Sequence, residues 1–220
     1  MTVKAIRAWV AAIGTATLAF ATVACGPKVP DYQAVWTTST TTTSNSPAPT
    51  APLVPLSKYL EDNGVAGEAV KPSELTDLTV SIPIPPGWKE RGDPNSKPKT
   101  LMISKGDNYP AAIMFVFRLR GDLNPTEAIK HANTDLPDGF HQLDASTGDF
   151  NGFPSSMVQG TYELKKARMR SWNRVVLPTG APPENSHYMV QLIITSLADQ
   201  AVAESNDVEA IIRGFVVAKK

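Results

Sequence analysis

Hydrophobic positions divide this chain into three stretches that obey different rules. Ala8 to Ala21 is a mostly apolar run carrying Trp9, Val10, Ile13, Leu18 and Phe20. From Gly26 to about Pro55 the apolar periodicity disappears into a Thr, Ser and Pro tract. From Leu56 onward, apolar residues recur with the periods of helices and strands. Leu56 to Gly64 has the shape of one or two helical turns, with Ser57 placed to cap and Gly64 to stop it. Leu78, Val80, Ile82 and Ile84 alternate, and Pro83 and Pro85 on the opposite parity predict an edge strand. Pro86-Gly87 turns the chain into Trp88, and Leu101-Met102-Ile103 reads as a short strand. Ala111 to Leu119 is nearly continuous apolar, the pattern of a central strand covered on both faces.

Asn124-Pro125-Thr126-Glu127 is a helix start, with Asn as cap, Pro at the first helical position and Glu three residues after the cap. Ala128, Ile129 and Ala132 are its inward positions, and it stops before Pro137. Asn151-Gly152 signals a hairpin turn. Strands at Met157–Leu164, Arg168–Leu177 and Tyr188–Ser196 follow as a meander. Leu197 to Arg213 reads as a C-terminal helix burying Ala198, Val202, Val208, Ile211 and Ile212, with Phe215-Val216-Val217 as a last strand. Consecutive strands with one helix between and one after predict an α+β domain, an antiparallel sheet with helices on its faces, over residues 56–220.

The first two stretches read as address and tether. Lys4 and Arg7 precede the apolar run, and no acidic residue occurs before Asp31. Fourteen helical residues span about 21 Å, short of a hydrocarbon core of ~30 Å, which fits an export signal better than a permanent membrane helix. The run ends Thr22-Val23-Ala24-Cys25-Gly26. Small residues before a cysteine resemble the lipobox of bacterial lipoproteins, although Thr22 stands where Leu is usual. Residues 1–24 are thus the signal, and Cys25 becomes the lipidated first residue of the mature chain. The competing reading is a plain secretory peptide with an incidental cysteine. Several acyl chains on Cys25, each contributing about 0.8 kcal/mol per buried CH₂, would hold the protein on the extracytoplasmic side of the cell membrane.

Residues 25–55 then form a Thr/Pro-rich tether. Its Thr40, Thr41, Thr42 and Thr43 are O-glycosylation candidates, with a bare spacer as the alternative.

Charge and cysteine usage narrow the chemistry. The chain has 21 Lys+Arg against 21 Asp+Glu, without the excess that nucleic-acid binding calls for. Removing Lys4 and Arg7 leaves 19 basic residues, so net charge does not attach the mature form to anionic lipid. A single cysteine excludes an internal disulfide and a Cys-based metal or redox pair. There is no G-x-S-x-G elbow, Gly-rich phosphate loop or H-E-x-x-H, and nothing calls for a cofactor or metal. His131, His141 and His187 have no metal-ligand spacing. For a hydrolase, His131 or His141 with Asp135, Asp138 or Asp144 and Ser146 or Ser155 offers a triad, and no acidic pair stands out as a glycosidase acid and nucleophile.

One constellation stands out. Period two places Lys166, Arg168, Arg170, Trp172 and Arg174 on one face of a strand. Guanidinium groups can take carboxylates or phosphates bidentately, and an indole can stack on a cation or a sugar face. This is a candidate ligand or partner face. The alternative is a solvated sheet face whose basic stems cover Trp172. Trp88 joins the candidates, with a place at the core edge as its alternative.

The layout resembles the LpqN/LpqT family of mycobacterial lipoproteins. The resemblance rests on Tyr59-Leu60-Glu61-Asp62-Asn63-Gly64-Val65, Pro86-Gly87-Trp88 and Leu119-Arg120-Gly121-Asp122-Leu123-Asn124-Pro125. It continues through Leu136-Pro137-Asp138-Gly139-Phe140, Asn151-Gly152-Phe153, Gly160-Thr161-Tyr162, Arg174-Val175-Val176-Leu177-Pro178 and Tyr188-Met189-Val190-Gln191-Leu192. Asp138 departs from a shorter Leu-Pro-Gly-Phe form. The resemblance implies a Mog1/PsbP-like fold, an antiparallel sheet sandwiched by helices, with no catalytic residue to carry over. It implies an envelope accessory protein that binds a trehalose-type glycolipid or envelope and host proteins. A hydrolase is the remaining alternative, and shedding of some molecules from the membrane is a further expectation.

Overall fold

A computed structural model describes residues 53–91 and 99–220. Cys25 and Thr40–Thr43 lie outside the described residues, as do the signal and most of the tether.

The strands form two sheets. β1 (Ala66–Ala69), β3 (Lys89–Arg91), β4 (Thr100–Ser104), β5 (Ala111–Arg120), β6 (His141–Phe150), β7 (Phe153–Leu164), β8 (Ala167–Val176) and β9 (His187–Leu197) make the large antiparallel sheet, in the order β3-β4-β5-β9-β8-β7-β6. One edge of β5 is shared, with β4 along residues 111–115 and β1 along 117–120. β2 (Leu78–Ser81) and β10 (Val216–Lys219) form a separate two-stranded ribbon. Three short helices complete the domain: α1 (Leu56–Asp62), α2 (Pro125–Ala128, continued by a 3₁₀ turn to His131) and α3 (Ser205–Arg213).

The period-two alternation of the central strands sends side chains into two cores. One face of the sheet contributes Met114, Val116, Trp172, Val176, Tyr188, Val190, Leu192 and Ile194, covered by the β2–β10 ribbon and by Val208 and Ile211 of α3. The other contributes Leu119, Val175 and Leu177, covered by Leu56 and Leu60 of α1 and Ala128 and Ile129 of α2. The expected sheet sandwiched by helices is the observed architecture.

Local chemistry explains several elements. Asn124 Oδ1 accepts from the backbone N–H of Thr126 at 3.1 Å and Glu127 at 3.3 Å, and Pro125 opens α2. Asn151 (φ 54°) and Gly152 (φ 81°) form the two-residue turn that pairs Phe150 with Phe153.

Other expectations are corrected. Ser57 lies inside α1, whose cap position is Pro55 with no side-chain cap bond. The C-terminal helix starts at Ser205, because residues 198–204 form turns that bury Ala201 and expose Val202. Ile84 is exposed beyond the end of β2. Lys166 is not on β8: Lys165 and Lys166 have φ of 50° and 68° and form the β7–β8 turn.

Candidate functional site

Two concave features occupy distant corners of the domain. The first is an apolar groove of about 550 Å³ beneath α1. Leu60 of α1, Val65, Phe117 and Leu119 of β5, and Met189 of β9 line it, with Ser57 and Glu61 at the α1 rim and Gly67 of β1 on the floor. Its volume falls within the range of about 300–1,000 Å³ usual for small-molecule sites. The groove lies where the short β1, which carries small residues, pairs with β5 and leaves Phe117 only partly covered.

Residues 53–55 enter the domain beside this groove. The Val54 carbonyl accepts from Thr134 Oγ1 at 3.0 Å and lies 2.9 Å from His131 Nδ1. The His131 ring stacks on Tyr59 of α1 with centroids 4.2 Å apart. His131 therefore fixes Val54 beside the start of α1.

The second feature is a polar cleft of about 560 Å³ at the β7–β8 end of the sheet. Asp138, Gly139, His141, Thr161, Tyr162, Glu163 and Arg168 line it. Arg168 lies directly across from Glu163, and its backbone carbonyl accepts from Ala198 N–H at 2.9 Å. Met189 in the groove and Leu197 beside the cleft are eight residues apart on β9, about 27 Å along the strand. One small ligand cannot contact both.

The strand face singled out by period two divides between these environments. Arg168 is exposed in the cleft. Arg170 donates to Gln159 Oε1 at 3.2 Å, and Gln159 in turn donates to Asp144 Oδ2 at 3.3 Å. Trp172 is 5% exposed and packed in the larger core. The Arg174 guanidinium lies 5.5 Å from the centre of the Trp172 ring and 4.8 Å from that of Phe150, and donates to Ser155 Oγ at 3.0 Å. Burial pushes the Arg174 guanidinium below its ordinary value. Trp88 is buried too, and its Nε1–H donates to Asp207 Oδ2 at 3.1 Å. Asp207 also takes Lys105 Nζ at 2.7 Å, which with the indole bond holds its carboxyl below the ordinary range. Both indoles are spent on packing.

The hydrolase residues are scattered. His131 is next to the Val54 carbonyl, His141 is in the cleft, and His187 lies 3.2 Å from Thr179 Oγ1. Ser155 accepts from Arg174, and Asp144 from Gln159. Among the described residues no serine–histidine or histidine–carboxylate hydrogen bond occurs, and no group of three His, Cys, Asp or Glu is placed to hold a metal. No helix among them is long and apolar enough to cross a membrane. Sequence reasoning missed the groove. Its only signal is the run Val65-Ala66-Gly67, too short and small to read as a strand.

The fold is an antiparallel sheet between helices, with an apolar groove under α1. The chain belongs to the family described as "Probable lipoprotein LpqN", whose model matches residues 52–218. LpqT of Mycobacterium tuberculosis, named as a lipoprotein, is 55% identical over 98% of this chain and 96% of its own length. LpqT of Mycobacterium leprae is 52% identical over 95% of each. The crystal structure of LpqN, described as involved in cell envelope biogenesis of M. tuberculosis, aligns with a TM-score of 0.63. It shares 19% identity over 76% of this chain and 99% of that one, a likeness of fold.

Proposed function

We propose that this chain is a lipid-anchored, non-enzymatic envelope lipoprotein that binds an acylated sugar. Its acyl chain would lie in the groove under α1. The observation that carries the reading is the groove's composition: Leu60, Val65, Phe117, Leu119 and Met189 offer an apolar bed, and Ser57 and Glu61 offer hydroxyl-binding groups at its rim. Each CH₂ moved from water into such a bed contributes about 0.8 kcal/mol. The sugar would sit at the α1 rim, since the polar cleft is out of reach. The family's lipoprotein character and the envelope role stated for LpqN support placing this binding in cell envelope biogenesis. Lipidation of Cys25 would supply the membrane attachment.

Native mass spectrometry of residues 53–220, titrated with an acyl-trehalose and with an acyl chain lacking sugar, tests the proposal. Saturable binding of the sugar-bearing ligand supports it. Absence of binding by either ligand rejects it. The polar cleft favours a second reading, a protein-interaction module using Arg168 and its neighbours toward envelope or host proteins. Cross-linking in intact cells that yields no repeatable partner through this cleft would reject that reading.

A further inference from the structure

β5 has the near-continuous apolar sequence of a strand covered on both faces, yet only one of its faces is covered throughout. Ala112, Met114 and Val116 point into the larger core and are at most 1% exposed. Leu119, Phe117, Phe115 and Ile113 share the opposite face. α1 and α2 cover its Leu119 end, where the groove lies. Past Phe117, Phe115 and Ile113 are half-buried and join neither core. The same holds for Ile193 of β9 and Met102 of β4, which flank Ile113 on its two sides.

These four residues continue the groove. Phe117 and Met189, cross-strand partners, both line it. Two residues further along β5, Phe115 faces Gln191, and two further again Ile113 faces Ile193. The strip from Phe117 to Ile113 is about 14 Å long and, from β4 to β9, about 10 Å across. A row of amides borders it. Gln191 Nε2 donates to Asn173 Oδ1 at 3.0 Å, Asn173 Nδ2 to Asn133 Oδ1 at 3.3 Å, and Asn133 Nδ2 to Ser156 Oγ at 2.6 Å. This row turns the Gln191 amide toward β8, away from β5, and makes the β8 side of the strip polar. What remains is a narrow apolar strip that opens from the groove, the shape of one extended apolar chain.

We propose that the ligand of the groove carries a long acyl chain whose far end leaves the groove and lies along Phe115 and Ile113, between Met102 and Ile193. This rests on the reading that the groove holds the chain of an acyl sugar. It adds the class of chain, long and extended, and the direction in which it runs. The strip covers one side of the chain and leaves the other wet. Each CH₂ past the groove then gains about half the free energy of full burial, close to twofold in Kd. A short chain ends inside the groove and gains nothing from the strip. Phe115 and Ile113 thus select for chain length, while the groove residues hold short and long chains alike.

The test uses the full chain in its native membrane and two trehalose esters, octanoyl and hexadecanoyl, each with a diazirine at the end of its acyl chain. After illumination, mass spectrometry of the digested protein locates the labelled residues. The octanoyl probe should label the groove, at Leu60, Phe117 or Met189. The hexadecanoyl probe should label Met102, Ile113 or Ile193 several-fold more than the octanoyl probe does, and excess unlabelled hexadecanoyl ester should remove that label. Ile113→Asp should cut the hexadecanoyl label on Met102 and Ile193 several-fold and leave the octanoyl label in the groove unchanged. Ile113→Thr, which keeps a β-branched residue in the strand, should act in the same direction and covers the case in which the aspartate variant fails to fold. If the octanoyl probe labels the groove but the hexadecanoyl probe does not reach the strip, or if neither substitution lowers its label there, the long-chain proposal is overturned and the acyl-sugar reading stands. If the octanoyl probe does not label the groove, both fall together.

Discussion

The Tyr188 hydroxyl donates to Asp77 Oδ1 at 2.5 Å in a site from which water is almost excluded, with Asp77 2% exposed and Tyr188 fully buried. Asp77 Oδ2 takes Ser186 N–H at 3.1 Å, and its backbone carbonyl takes Ala181 N–H at 2.7 Å. One residue thus ties the chain entering β2 to the β8–β9 loop and to β9. Burial pushes the Asp77 carboxyl up, but the bonds from Tyr188 and Ser186 outweigh it and hold the group below its ordinary value. The stability this contributes is present above the ordinary Asp pKa of about 3.9 and is lost as pH falls through the lower folded value. Tyr188→Phe removes one donor and leaves a buried acceptor, so it should cost about 1–3 kcal/mol at pH 7. The deficit should shrink as the carboxyl protonates. Urea unfolding followed from pH 7 down to the acid limb checks both statements.

Gly180 makes that carboxylate site possible. A methyl group on its Cα would overlap Asp77 Oδ2 and Cγ. Gly180→Ala must therefore displace the carboxylate or the loop, at about 1–3 kcal/mol. Because it disturbs the same group as Tyr188→Phe, the double variant should lose less than the two single losses added together. A double-mutant cycle in urea measures the difference.

What the chain's pattern reveals and what it conceals follow from burial. β5, β7, β8 and β9 bury apolar residues in two cores, so the continuous apolar run locates β5 and the strand pattern locates β8, β9 and the Met157–Leu164 part of β7. Asn124 and Asn151-Gly152 act through local bonds and dihedrals, so they too can be read directly. β6 has no apolar alternation because positions of both parities are exposed, β1 is short and built of small residues, and β3 is short and charged, so their assignment depends on neighbours distant in the chain. The basic face of β8 has the expected parity. Its outcome is set by what lies above each residue: the β2–β10 and α3 layer covers Trp172, while Arg168 lies beyond it. The groove is a gap left by β1 against β5, and no local pattern encodes a gap.

Glu204 gives a pH dependence of opposite sign. It is 9% exposed, and its Oε2 has no hydrogen-bond partner. Burial pushes its carboxyl up, opposed by Lys105 and reinforced by Asp207 and Asp199. A raised carboxyl penalises the folded state once it ionises, so the penalty is absent below the ordinary Glu pKa of about 4.3 and complete above the folded value. Glu204→Gln should raise Tm at pH 7 and leave it nearly unchanged at pH 4. Paired thermal melts at the two values decide the matter.

Trp172 and Arg168 separate packing from recognition on one strand face. Trp172→Ala empties a site in the larger core and should cost about 3–5 kcal/mol. Arg168→Ala, in the exposed cleft, should stay within about 0.5 kcal/mol of the parent. Chemical denaturation of both variants provides the measurement. Comparable destabilisation by the two would contradict the division of the face.

Gly67 allows the groove to be filled without disturbing what surrounds it. Its φ is not in the left-handed region, and a Cβ there would meet Phe117 Cδ1 at 3.6 Å and Leu119 Cδ2 at 3.7 Å, ordinary contact distances. A longer apolar side chain can then extend along the bed of Leu60, Val65, Phe117, Leu119 and Met189 that an acyl chain would occupy. Gly in a strand interior also costs backbone entropy, so Gly67→Leu should hold or slightly raise Tm. An acyl-sugar ligand displaced from even two CH₂ contacts loses about 1.6 kcal/mol, more than tenfold in Kd. Arg168→Ala in the same titration should leave Kd unchanged, because the cleft lies at the other end of β9. Loss of binding in Gly67→Leu with Tm preserved locates the acyl chain under α1. Unchanged binding in that variant would exclude the groove as the site.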